Sequence, residues 1–339
     1  MIAREIDRLR GPILRSVSRS FYLSLRILPR PLRDPLSLAY LLARATDTIA
    51  DTPEPSVELR AESLRELADV IQGTTAGEAA TRVRDAFGPL QSDEAERALI
   101  ECLPAVIAWL DSLEERDRRE IRDVLENINR GQTLDLQRFV TSTSTSTSIQ
   151  ALRTAAELDE YTYLVAGCVG EFWTRLCFVH IRNFSDRPEP DMLALGVEYG
   201  KGLQLINILR DAGSDLRHGR CYFPAEELHS LGLEPAEILE HPARLEPIIR
   251  RWRERAEGGV KAGIEYACAI RSRRIRFATA LPALIGIRTL ALLRETASEV
   301  FECKVKVSRA EVKKIMASTA ARLASTTSLR ETFQRLSRG

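Results

Sequence analysis

Apolar residues return every three or four positions along most of the chain. This period predicts helices near 17–28, 31–51, 57–72, 93–109, 113–139, 150–181, 189–217, 243–271, 274–300 and 308–325. Strand signals are limited to scraps such as CKVKV at 303–307. Helix stops stand at Pro29, at Pro53-Glu54-Pro55, at Gly73 and at Arg187-Pro188-Glu189-Pro190. The pattern predicts an all-α chain, one domain over 1–339, with no stretch that reads as an interdomain linker. TSTSTSTS at 141–148 buries nothing and suits a loop between long helices, a short β edge being the alternative.

Two of the predicted helices carry a polar stripe on an otherwise apolar cylinder. In QLINILRDAGSDLRHGRCYFP, Gln204, Asn207, Asp211 and Asp215 follow at steps of three or four and share one face, with Arg210 beside them. In AYLLARATDTIADT, Tyr40, Arg44, Asp47 and Asp51 do the same, packed around by Leu41, Leu42, Ala45 and Ile49. Carboxylates one helical turn apart lie roughly 6 Å from each other, close enough to serve the same divalent ions. Chance alone gives about one DxxxD pair in such a chain, so a single one is a weak signal. Here there are two, each on an apolar helix and each with an arginine close by, where surface charges would more often alternate in sign. Mg²⁺ takes one or two carboxylates and fills its other positions with water and phosphate oxygens. The two stripes therefore suggest a diphosphate bound through metal, with carboxylates otherwise unpaired and the two acidic helices sharing one cluster across a bundle.

Three further segments carry candidate chemistry. In SRSFYLSLRILP, Arg19 near a helix start could grip a phosphate, a plain surface arginine being the alternative. In DEYTYLVAGCVGEFWTRLCF, Gly167 and Gly170 thin the helix just past Tyr161, leaving room for a neighbouring backbone or a bulky apolar ligand. Tyr161 itself reads as a core or a catalytic tyrosine. In FECKVKVSRAEVKKIM, Ser308 and Glu311 form an S-x-x-E capping box. Lys304, Lys306, Arg309, Lys313 and Lys314 gather around it, a cationic group that suits a nucleotide phosphate. No GxGxxG accompanies it, so a nicotinamide cofactor would bind outside a Rossmann unit.

Composition narrows the rest. A net charge of +1 hides an asymmetry: from Arg251 onward there are 19 Lys+Arg against 8 Asp+Glu. The basic end could meet phosphates or an anionic lipid surface, or simply be a solvated helix face. Nothing in the chain points to nucleic acid. Six cysteines without CxxC spacing and four scattered histidines argue against zinc and disulfides and fit a reducing, cytoplasmic setting. The charged start MIAREIDRLRG has no apolar signal region, and no run of about 18 apolar residues predicts a transmembrane helix.

SRSF, YLLARATDTIAD, YTYLVAGCVG and NILRDAGSDLRHGRCYFP, in this order, resemble the squalene/phytoene synthase family from about Ser18 to Met316. The EYTYLVAGCVG wording and VKVSRAEVKKIM resemble its squalene branch. The resemblance implies an all-α isoprenoid-synthase bundle with a central cavity, Mg²⁺ on both acidic motifs, and head-to-head joining of two prenyl diphosphates. In the squalene branch these are two farnesyl diphosphates, and NADPH reduces the intermediate. Carried over, the family pattern assigns Asp47, Asp51, Asp211 and Asp215 to metal, supported by Gln204 and Asn207. It assigns Arg19, Arg44 and Arg210 to diphosphate, Tyr40 and Tyr161 to the reacting carbons, and Lys306 and Arg309 to NADPH. Tyr161 is the expected base, helped by the leaving diphosphate. Ser308 and Ala283 depart from the animal pattern, which has a basic residue and a glutamine there. The membrane anchor of eukaryotic relatives is missing, which implies a soluble bacterial version. The nearest alternative is a dehydrosqualene or phytoene synthase without hydride transfer, against which the segment past Cys303 speaks. A non-catalytic binding relative would be expected to lose its aspartates, and all four are present.

Overall fold

Three of the four predicted stops supply a cap in the computed structural model, which describes residues 2–18, 21–75, 77–139, 149–296, 300–302, 305–323 and 325–338. Pro53-Glu54-Pro55 fills the turn between the caps Thr52 and Ser56. Arg19, Lys304 and the 141–148 repeat lie outside the described residues. Pro29 stands in extended backbone before the helix it opens, Pro188 does the same, and Gly73 takes the left-handed conformation (φ 76°) that ends its helix.

The chain forms two compact units by its internal packing: Met1–Gln137 with Arg175–His180, and Arg138–Thr174 with Ile181–Gly339. The first holds α1 (Ile2–Arg8), α2 (Leu14–Ser18), α3 (Phe21–Ile27), α4 (Arg30–Asp51), α5 (Val57–Gln72), α6 (Glu78–Phe87), α7 (Glu94–Glu101), α8 (Leu103–Ser112) and nearly all of α9 (Glu115–Arg138). Leu41, Leu42, Ala45 and Ile49 are fully buried, so the apolar face of α4 forms core against α5, α7 and α8. A single helix expected over 93–109 is two: Pro104 in the first turn of α8 supplies no N–H, and the helix breaks at Cys102. α9 is tied to the end of α5 by Gln72, whose amide donates to Arg122 O (2.9 Å), and by Arg122, whose Nε donates to Ile71 O (2.8 Å).

The second unit holds α10 (Ala155–Thr162), the start of α11 (Cys168–His180), α12 (Glu189–Arg217), α13 (Ala225–Ser230), α14 (Glu246–Ala269), α15 (Arg273–Thr296), α16 (Arg309–Arg322) and α17 (Thr326–Arg338). α12 packs on α14, α14 on α15, and α15 is covered by α16 and α17. α15 is long and apolar enough to cross a membrane, with mean hydropathy 1.5, but 72% of that window is buried, as in a core helix. The long helix expected over 150–181 is broken up. It begins as β1 (Gln150–Ala151), paired in parallel with β2 (Arg220–Cys221), and a wide π turn at Tyr163–Gly167 separates α10 from α11.

Gly170 and Gly200 explain how closely α12 approaches. A Cβ on Gly170 would sit 1.9 Å from Gly196 O, and one on Gly200 would sit 2.1 Å from Ala166 O. The room left at Gly170 is therefore filled by neighbouring backbone, and that at Gly167 by the Tyr163 and Lys201 side chains. The helices α1, α2, α6, α13 and α17 have no counterpart in the predicted set. α17 illustrates why: its buried side chains are only Leu329, Thr332 and Phe333.

Candidate active site

The stripe predicted on α4 is present. Tyr40, Arg44 and Asp47 are half-buried, and Asp51, at the last residue of the helix, is exposed. The Tyr40 hydroxyl donates to Val17 O (3.1 Å). Arg44 pairs with Glu96 on α7 and lies 3.8 Å from Asp47. The Asp47 carboxylate is not unpaired. Gln132, buried on α9, donates from Nε2 to Asp47 Oδ1 at 2.7 Å. About half of the Asp47 side chain (50%) meets solvent, yet protein crowds its other side. That desolvation, opposed by the Gln132 bond and helped by the charge of Asp51, pushes its pKa up to about 6.

On α12, Gln204, Arg210, Asp211 and Asp215 are half-buried and Asn207 is exposed. Asn207 Nδ2 donates to Gln204 Oε1 (3.3 Å), joining the two amides one turn apart. Arg210 clasps the carboxylate next to it in sequence with two nitrogens, Nε lying 3.0 Å from Asp211 Oδ1. Asp215, one turn on, has its pKa pushed up to about 6 by burial and then by the charge of Asp211, against Arg220, His218 and Arg210. Expected as unpaired carboxylates, Asp47 and Asp211 each already hold a partner.

Among the described residues no group of three or more His, Cys, Asp and Glu side chains gathers within metal-binding reach. Each motif instead offers a pair of carboxylates, the number that Mg²⁺ takes when phosphate and water complete its shell. The donor set fits a hard cation.

Tyr161 is buried and stacks on Tyr222, ring centroids 5.0 Å apart, with the two hydroxyls 3.4 Å from each other. Phe139 meets Tyr222 edge-on at 5.1 Å. Tyr222 only closes the quoted QLINILRDAGSDLRHGRCYFP stretch with Phe223 and Pro224, and the fold makes it the partner of Tyr161. Lys201, which also carries no sequence signal, is buried 2.5 Å from Asp159 and 4.0 Å from Glu198. Arg255 reaches the same two acids at 3.8 and 2.7 Å. This closed ion network holds α10, α12 and α14 together two residues from Tyr161.

Lys306 and Arg309 are exposed at the start of α16, and among the described residues neither makes an ion pair. Their charge and position fit a phosphate group. Ser308 caps the helix as expected, its Oγ accepting from Glu311 N–H (3.1 Å). The reciprocal half of the expected capping box is replaced among the described residues: the Glu311 carboxylate accepts from Arg288 Nε at 2.6 Å.

The chain is similar to the presqualene diphosphate synthase of Rhodopseudomonas palustris, 29% identical over 218 residues, which is 64% of this chain and 62% of the relative. It is similar to a squalene synthase of Gibberella zeae, 27% identical over 312 residues, 89% of this chain and 62% of the relative. The chain thus spans 62% of the length of each of these two curated relatives. A ligand complex of TcSQS shares the fold, with a TM-score of 0.77 and 24% identity, over 98% of this chain and 91% of that one. The squalene/phytoene synthase family model matches residues 14–311. With both acidic motifs inside that span, the chain belongs to the squalene/phytoene synthase family.

Proposed function

We propose that the protein is a squalene synthase and that the chain is one synthase domain. It would condense two farnesyl diphosphates head to head into presqualene diphosphate, then reduce this to squalene with NADPH. The observation that carries the reading is the pair of DxxxD motifs on α4 and α12, each with an arginine at hand and each with one carboxylate raised to about 6.

Asp47, Asp51, Asp211 and Asp215 would hold Mg²⁺, which when bound supplies Lewis-acid stabilisation of the departing diphosphate. Arg44 and Arg210 would bind diphosphate and offset the charge that grows as the allylic C–O bond breaks. Gln204 and Asn207 orient it by hydrogen bonds. Tyr40, Tyr161 and Tyr222 present aromatic surface to the allylic cation. The Tyr161 oxygen accepts the proton whose loss closes the cyclopropane, with the departed diphosphate as the final proton acceptor. Lys306 and Arg309 would hold the phosphate of NADPH, which when bound supplies the hydride. The reading places the enzyme in the cytoplasm, with its basic C-terminal end able to touch an anionic membrane.

A second reading, a synthase without hydride transfer, is favoured by the likeness to a presqualene diphosphate synthase at 29% identity. Product analysis separates the two. With farnesyl diphosphate and Mg²⁺ alone, presqualene diphosphate should accumulate, and added NADPH should turn it into squalene. Lys306→Ala with Arg309→Ala should raise the apparent KM for NADPH on the order of a hundredfold, since each charge-assisted contact is worth roughly 1.5–3 kcal/mol. A C30 product that ignores NADPH would move the protein to the dehydrosqualene type. Presqualene diphosphate that never advances would make it a single-step synthase.

A further inference from the structure

Asn129 and Gln132 lie one turn apart on α9, each only 7% exposed. A carboxylate can only accept, so the bond from Gln132 to Asp47 fixes which end of the amide faces the acid. That leaves Gln132 Oε1 as the free end of the amide, buried and without a hydrogen-bond partner among the described residues. Asn129 is more exceptional. Among the described residues neither its Oδ1 nor its Nδ2 has a hydrogen-bond partner. Buried amide groups left unsatisfied are costly, and three such atoms on adjacent turns, one of them on the amide that holds Asp47, are a built feature. Apolar residues of similar volume would fill the same space at no such cost.

We propose that Asn129 and Gln132 are positioning residues for the cation of the first acidic motif. Gln132 fixes the Asp47 carboxylate, and the carbonyl oxygens of both amides accept hydrogen bonds from the waters that a hard divalent cation keeps. The inference rests on the reading of Asp47 as a metal ligand. The chemistry is matched in kind: Mg²⁺ dehydrates reluctantly, so its site needs acceptors for coordinated water as well as direct ligands. A neutral amide also holds Asp47 without cancelling its charge, as Lys or Arg would.

The test uses the full chain, with Mg²⁺ and inorganic pyrophosphate as probes, and reads the melting temperature and direct calorimetric binding. Wild type should melt higher with both probes present. Asn129→Leu should melt higher than wild type in EDTA, because it removes a buried unsatisfied amide. It should also need about tenfold more Mg²⁺ for half-maximal protection, the worth of one hydrogen bond to a polarised donor. Gln132→Met should show the same loss in Mg²⁺ response, and Gln132→Asn a smaller one. In turnover, the KM for Mg²⁺ should rise more than kcat falls. A purely structural role cannot give a more stable protein with a weaker cation response. If wild type responds to the probes and Asn129→Leu responds equally, the inference is overturned while the metal reading stands. If wild type itself shows no Mg²⁺-dependent response, the metal reading fails and this inference falls with it. Should Gln132→Met not fold, Asn129→Leu decides the matter alone.

Discussion

The acidic motifs on α4 and α12 have the same four-residue spacing and opposite local chemistry. On α4 the first carboxylate, Asp47, is the desolvated one, supported by a neutral amide, while the nearby arginine is drawn to Glu96. On α12 the first carboxylate, Asp211, is clasped by Arg210, and it is the second, Asp215, that is desolvated. An amide support leaves the full negative charge for a cation. An arginine clasp cancels it until something else takes the arginine, and a diphosphate is the natural exchange partner. Equal spacing therefore does not mean equal roles: under the proposed function the α4 motif would receive a cation, and the α12 motif would exchange partners as substrate arrives.

The largest effect should come from removing either first carboxylate. Asp47→Asn and Asp211→Asn should each lower turnover by about three orders of magnitude, in line with loss of a group acting in the transition state. Both variants should keep the wild-type circular dichroism spectrum, because neither residue is core. The comparison breaks if one motif proves dispensable, which steady-state rates with excess Mg²⁺ would reveal, or if the wild type is fully active in EDTA.

Much of this could be read from residue order, because a stripe at steps of three and four is a local property of one helix. Tyr40, Arg44, Asp47 and Asp51 are legible for that reason, and so are Gln204 through Asp215. What was not legible lies across long sequence separations. Gln132 is one more polar residue in a charged helix until the fold brings it to Asp47, and nothing around Glu96 hints at Arg44. Lys201 sits in an apolar run and becomes a buried ion-pair member only through Asp159, which precedes it by more than forty residues. Gly167 and Gly170 signalled close approach correctly in kind, but only the packing of α12 could say that the guest was backbone at Gly170 and the Tyr163 and Lys201 side chains at Gly167. Short helices such as α6 and α17 bury too few large side chains to show a period.

The clasp offers a smaller and more discriminating effect. Arg210→Gln leaves Asp211 without its cation, so Mg²⁺ should bind the substrate-free enzyme more tightly than in wild type. The same change removes a charge-assisted contact to the leaving group, and kcat should fall about a hundredfold. Arg44→Gln should lower kcat and tighten Mg²⁺ less than Arg210→Gln, because Arg44 is held by Glu96 and reaches Asp47 only at 3.8 Å. Calorimetric Mg²⁺ titration of the two variants, with and without inorganic pyrophosphate, checks the contrast. Equal behaviour in both would remove the distinction between an amide-held and an arginine-held motif.

The smallest effects concern protons. Asp47 and Asp215 both have pKa values raised to about 6 from an ordinary 3.8. Between about pH 4 and 6 the folded protein therefore holds protons that the unfolded chain has released, so these two groups favour folding as pH falls through 6. The carboxylates held below their usual range, such as Glu157 and Glu265, act in the opposite sense and only at lower pH, near and below their ordinary 4.5. In EDTA the melting temperature should thus not fall between pH 7 and pH 5 on account of the acidic motifs. Cation binding has the reverse sign, because each proton on a ligand must leave before a metal can bind, and Mg²⁺ affinity should drop by about tenfold per pH unit for each such group below pH 6. The two motifs then respond differently to mutation. Asp211→Asn removes the charge that raises Asp215, so the Asp215 titration should move to lower pH. Gln132→Met removes the bond that lowers Asp47, so the Asp47 titration should move to higher pH. Carboxyl-carbon NMR titrations of the metal-free variants measure both shifts, and movement of the two groups in the same direction would contradict an amide-supported site on α4 and a charge-coupled one on α12.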